Sequence, residues 1–283
     1  MKMTESRTIL AKYSGSQHGP ITRLIDPSDL GDLLKPFIFL DYFNAEIQPG
    51  FGFPMHPHSG IATLTWQPGT DVAYEDTTGQ QGVLKAGGLE WMNAGGGAWH
   101  KASLMGRGKV TGFQLWVAMP PGVENGPSQG QYVAPEDVAQ FAVQGGNVKV
   151  LLGALDHHAG STSSPIASHQ DMNYLVVTLE ANAQWTYMPP AHHDVAFAVG
   201  FAGTTEVNGV PLAHQLAVLD GHGSVTVAAG ANGSQVLLGS AAKHNHPLVL
   251  GSSSVHTSAD ALKLGMQTIR EIGAKLRVSE RLG

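Results

Sequence analysis

The chain has 283 residues with a formal net charge of −6, 42% hydrophobic and 13% charged, which gives it ample apolar surface for a core and rules out a disordered chain. Few, scattered lysines and arginines argue against direct contact with nucleic acid or an anionic membrane surface, and no apolar run is long enough to span a bilayer. The absence of cysteine excludes disulfides, thiolate metal ligands and a thiol nucleophile, and because Met1–Arg7 lacks the apolar stretch of a secretory signal, a cytoplasmic location is expected.

Thirty-six glycines and sixteen prolines interrupt the chain. Turn signals this frequent, between short runs of Val, Leu, Thr and aromatic residues, predict an all-β sandwich or barrel. In chain order, Ile61–Trp66 reads as a strand directly after His56-Pro57-His58. Val72–Asp76 reads as another, followed by a Thr77-Thr78-Gly79 turn, and Gly82–Gly87 as a short strand entering a Gly-Gly turn. Gly112–Ala118 is a strongly patterned strand ending before Pro120-Pro121. Pro120 to Gln131 is loop-like, and Pro135-Glu136-Asp137 opens a short helix, with Pro at its first position and acids in its first turn. The boundary between two domains is expected near residue 134, giving 1–134 and 135–283. The second half repeats the β pattern at Asn173–Leu179, Ala196–Phe201, Gln215–Leu219, Ser224–Ala228 and Gln235–Leu238. Asn208-Gly209 is its clearest hairpin signal. A single long helix is predicted over Ala259–Val278, capped by Ser258. Leu262, Met266, Ile269, Ile272 and Leu276 draw one apolar stripe along it. Gly265 and Gly273 each weaken it by about 1 kcal/mol, so packing must hold it.

The residues with chemical potential are His56, His58 and His100. Period-2 alternation turns both imidazoles of an H-x-H strand to one face, and a third histidine from a distant strand would complete a three-nitrogen metal site with open positions. Pro57 stiffens the pair, and Gly95-Gly96-Gly97 allows close backbone approach to the site. Gln114, on an alternating strand, is expected to face away from Phe113 and Leu115 and to line the pocket as a substrate or outer contact. Lys101 should face away from His100. Glu75-Asp76 reads as part of a solvated turn, and Glu90 as an exposed residue at a tight turn. His192-His193, read as strand neighbours, would point to opposite faces and so not share one ion. His244 and His246 read as loop histidines.

The runs Pro36–Phe43, Pro54–Gly60, Gly87–Gly97 and Phe113–Val117, in this order and at this spacing, resemble the pirin family. The likeness is specific over residues 36 to 120 and weaker beyond. It implies a bicupin: two cupin-type β-barrel domains facing one another, with metal only in the N-terminal one. It also implies a non-haem iron site made by the H-x-H pair, a later histidine and a glutamate two residues beyond. Some members cleave the flavonol quercetin with dioxygen; others act as nuclear co-regulators. Carried over, the three histidines fall on His56, His58 and His100. The glutamate position holds Ala102, and Ala62 stands where the family's next strand usually has Glu. Without these carboxylates, affinity for a divalent ion should fall and selectivity drift from hard, oxygen-preferring ions toward imidazole-preferring ones such as Ni, Cu or Zn; the resemblance implies iron first, with Ni, Cu, Zn or Co, or no metal, as alternatives. The expected function is a quercetin 2,3-dioxygenase-like, metal-dependent oxidoreductase acting on a flavonol-like small molecule. The alternative is a non-catalytic pirin-like regulator working through a protein partner. The sequence does not fix an oligomeric state.

Overall fold

In the computed structural model, which describes residues 5–278, the chain forms two compact units. One comprises the described residues of Met1–Ser16 with Val138–Lys243; the other comprises Gln17–Asp137 with the described residues of His244–Gly283. This differs from the contiguous division at residue 134. The central crossover lies close to that point, but both chain ends are exchanged. Ile9–Tyr13 pairs antiparallel with Leu216–Leu219 of the second half, and the C-terminal helix packs on strands of the first half. Hydrophobic periodicity marks a segment's buried face but not which sheet covers it.

The unit holding the histidine pair is built of two main antiparallel sheets. The larger runs in the order Gln129–Val133, Leu89–Asn93, Ile61–Trp66, Gly108–Ala118, Phe37–Ile47, Ile21–Ile25 and Ser16–His18. The smaller runs Gly52–His58, Ala98–Leu104, Val72–Asp76 and Gln81–Leu84. Ile61–Trp66 is paired along both edges, and its residues are almost all buried instead of alternating, so both of its faces are covered. Phe37, Leu40, Leu64, Phe113 and Leu115 are among the core residues here. The predicted helix spans Ala259–Val278, with Ser258 Oγ accepting the Ala261 amide. Its two glycines face the protein. A Cβ on Gly273 would sit 2.7 Å from Trp99 Cζ2, and one on Gly265 would sit 2.5 Å from His256 Nε2. Gly95–Gly97 permit close approach, although the neighbours of Gly95 and Gly97 are not the metal ligands: a Cβ there would meet Gly126 O at 2.3 Å and Thr268 Cγ2 at 3.0 Å, respectively.

The other unit is a nine-stranded antiparallel sheet with a small hairpin. Its core includes Val148, Val150, Leu175, Val177, Ala198, Val225, Val227 and Leu238. The separately predicted strands Ser224–Ala228 and Gln235–Leu238 are parts of one strand, Val225–Ala241, whose ladder with Val195–Val207 continues through irregularities of register. Asn208-Gly209 forms the predicted turn, with φ of 49° and 76°, and closes Val207 onto Val210. Among the described residues no helix is long and apolar enough to cross a membrane.

Candidate metal centre

The smaller sheet assembles the histidines by register. His100 is the direct cross-strand partner of His56, and Ala98 that of His58. One partner opposite and one residue two positions along the strand are the nearest neighbours on a sheet face, so the trio follows once Gly52–His58 pairs with Ala98–Leu104. The ring centroids are 4.4 to 5.1 Å apart. Lys101 turns away as expected and forms an ion pair with Glu75 at 2.7 Å.

All three Nδ1 atoms are taken by acceptors. His56 Nδ1 donates to Pro54 O at 2.8 Å, His58 Nδ1 to Ser253 O at 2.9 Å, and His100 Nδ1 to the Glu90 carboxylate at 2.9 Å. A carbonyl or carboxylate oxygen accepts and does not donate, so each Nδ1 carries a ring proton, and the neutral His56 and His58 rings keep an Nε2 lone pair. His56 Nε2 and His100 Nε2 face one another at 3.0 Å, a contact that a proton held by one ring or a cation bound by both can bridge. Burial pushes His56 down to about 4 and His58 well below the ordinary imidazole value, helped by the neighbouring histidines, so both rings are neutral near pH 7. A divalent transition ion fits this donor set, and acceptors on the far ring nitrogens are the usual way such ligands are oriented.

Glu90 corrects the sequence expectation. It is buried, 2% exposed, in the strand Leu89–Asn93, and it supplies a carboxylate to the site through His100. Asp76 is also buried instead of solvated: its Oδ1 accepts the Thr78 amide and hydroxyl, and its Oδ2 accepts the Tyr132 hydroxyl at 2.8 Å. Ala102 and Ala62 place no acid near the trio, and Ala62 is wholly buried in the larger sheet.

The trio opens on a cavity of about 400 Å³ whose lining includes Phe39, Phe43, Phe53, Trp116, Glu90 and Ala102. Phe39 stacks on Trp116 at 4.1 Å, Trp116 meets His58 edge-on at 5.0 Å, and the Arg23 guanidinium, paired with Asp41, lies 3.9 Å over Phe39. Gln114 lines this cavity; its Oε1 accepts the Thr65 hydroxyl at 2.8 Å. The amide nitrogens of Gln114 and Gln67, another lining residue, have no partner among the described residues. His256 was not singled out from sequence. It is buried beside the site, with Nε2 3.0 Å from Ser59 Oγ and Nδ1 3.3 Å from Glu124 Oε2. His244 lies in a loop as expected, but it is buried, 4% exposed.

The two sheet-rich units and the imidazole trio define a cupin-type protein of two domains, one of them carrying a candidate metal site. The chain belongs to the pirin family: the Pirin family model matches residues 21–117, and a pirin-like protein of Caulobacter vibrioides is 31% identical over 218 residues, covering 73% of this chain and 74% of that one. A Pseudomonas aeruginosa protein provisionally named quercetin 2,3-dioxygenase is 29% identical over 95% of this chain and 98% of its own length. The crystal structure of quercetin 2,3-dioxygenase from Acinetobacter baumannii superposes with a TM-score of 0.84 at 22% identity, covering 95% of this chain and 98% of that one, a likeness of fold.

Proposed function

We propose that His56, His58 and His100 hold one divalent transition ion and that the protein oxygenates a flavonol-like molecule in the adjoining cavity. The observation that carries the reading is the convergence of one ring nitrogen from each histidine, all within 4.8 Å of one another, with an acceptor on each Nδ1. The ion would supply open positions for binding and activating substrate and dioxygen. The chain's own residues do the rest. Phe39 and Trp116 offer a flat apolar wall to a planar aromatic ring. The unpaired amide donors of Gln67 and Gln114 suit carbonyl or hydroxyl oxygens of a polyphenol. Glu90, through His100 Nδ1, fixes the ring and raises its basicity. The relative provisionally named quercetin 2,3-dioxygenase, matched over 98% of its length, supports this substrate class.

Protein stripped of metal and reloaded with Fe²⁺, Ni²⁺, Cu²⁺ or Co²⁺ should bleach quercetin in air with at least one ion, and His56→Ala should abolish the bleaching. Unchanged flavonol absorbance with all four ions overturns the catalytic reading. The methyl group of Ala102 on the cavity wall favours a second reading: a non-catalytic regulator that binds metal weakly and acts through a protein partner. Substoichiometric metal in protein purified without chelator or affinity metal, with no flavonol turnover, would support it, and a pull-down that finds no partner would count against it.

A further inference from the structure

The unit without the histidine pair carries a second cluster with metal-ligand chemistry. His192 Nε2 lies 2.5 Å from Asp171 Oδ2, and His193 Nε2 lies 3.0 Å from Asp171 Oδ1. All three residues present a ligand atom within 4.8 Å of the other two. The alternation that would separate adjacent histidines does not apply, because His192 and His193 fall in a turn before Val195–Val207 and not on a strand. The turn is closed by the His193 amide donating to Pro190 O at 2.9 Å, and the two rings stand at 86° with centroids 5.0 Å apart.

One ligand is rigid and two are adjustable. His193 is 1% exposed. Its carbonyl accepts from Arg7 Nη2 at 2.5 Å, and the buried Arg7 also donates to Asp220 O and Gly223 O. Its Nδ1 lies 2.9 Å from Ser240 Oγ, which lies 2.8 Å from the Tyr187 hydroxyl, itself accepting from Asn173 Nδ2 at 2.8 Å. Because the Asn173 amide donates to Tyr187, the Tyr187 hydrogen goes to Ser240. Ser240 can then either give its own hydrogen to His193 Nδ1 or accept Nδ1–H on its remaining lone pair. The second arrangement leaves the His193 Nε2 lone pair directed at the cluster, the outer-shell pattern of a ligating histidine. The side chains of Asp171 and His192 are 62% and 60% exposed, so they can close on an ion and leave its other positions to water.

We propose that Asp171, His192 and His193 form a second divalent-cation site, separate from the His56 site. Its two imidazoles and one carboxylate suit Zn²⁺, Ni²⁺, Co²⁺ or Cu²⁺. The test titrates Co²⁺ into tag-free, chelator-stripped protein, counting bound metal by elemental analysis after dialysis and following the visible absorption of bound Co²⁺. Both variants carry His56→Ala, which removes a ligand of the other site, and one also carries His192→Ala at an exposed position. A Co²⁺ equivalent that persists in His56→Ala and weakens at least tenfold in His56→Ala/His192→Ala supports the site. Equal binding by both variants, or binding by neither, overturns it. Asp171→Asn on the His56→Ala background should reproduce the weakening, and far-UV circular dichroism confirms that each variant is folded.

Discussion

Alanine in place of Gly265 should destabilise the protein, although the same change in an isolated helix stabilises it by about 1 kcal/mol. The added Cβ would lie 2.5 Å from His256 Nε2 and 2.5 Å from Ser59 Oγ, roughly 1 Å inside an ordinary contact. Neither neighbour can yield freely. Ser59 and His256 are 0% and 1% exposed; they pair with one another at 3.0 Å, and Ser59 Oγ donates to Ser254 Oγ at 2.8 Å. Overpacking costs about 1–3 kcal/mol, and a buried hydrogen bond broken by the shift costs about another 1–3 kcal/mol. Set against the helical gain, the net loss is about 3 kcal/mol, or roughly 6–12 °C in the melting midpoint of a unit this size. Calorimetry of metal-free protein reads it directly. The strain also reaches the site: Ser59 follows His58, whose Nδ1 bonds Ser253 O, so metal affinity should fall in the same variant. A midpoint equal to or above the parent's would refute the argument that glycine is required here by close approach.

Glu90→Gln should keep the fold and lower metal affinity at the trio by about 10–100-fold, since it removes the charge behind His100 Nδ1; isothermal titration checks it, and unaltered affinity counts against the role given to Glu90. Ala102→Glu should tighten binding and shift preference toward oxygen-preferring ions such as Mn²⁺ or Fe²⁺ relative to Zn²⁺, measured by competition; no change in the ratio would show that residue 102 does not reach the ion. Burial, with the charges of His246 and Lys35, pushes His244 from 6.5 down to about 4. Between these values the unfolded chain holds the extra proton, so stability is full above about pH 6.5 and falls toward pH 4 by at most about 3 kcal/mol. Urea midpoints from pH 7 to 4.5 should fall less steeply in His244→Asn than in the parent, and parallel curves would assign the acid limb to other groups.

The sequence by itself determined what repeats along one element. Alternation put His56 and His58 on one face, the 3.6-residue stripe marked Ala259–Val278, and Asn208-Gly209 fixed a hairpin, because each depends on residues only a few positions apart. The motifs of residues 36 to 120 also carried the family. Tertiary structure alone decided what faces what. His100 meets His56 through the register of two strands, with Ala98 opposite His58. Glu90 could not be read because all five residues of Leu89–Asn93 are buried, paired on both sides, so the strand shows no polar and apolar alternation to mark a side. Asp76 was hidden for a related reason: its partners are Thr78 in its own turn and Tyr132, fifty-six residues away. The turn at His192-His193 brought together two rings that a strand would have parted. The terminal segments crossed to the opposite units because an apolar stripe states that it must be covered, while the surface that covers it exists only after the chain has folded.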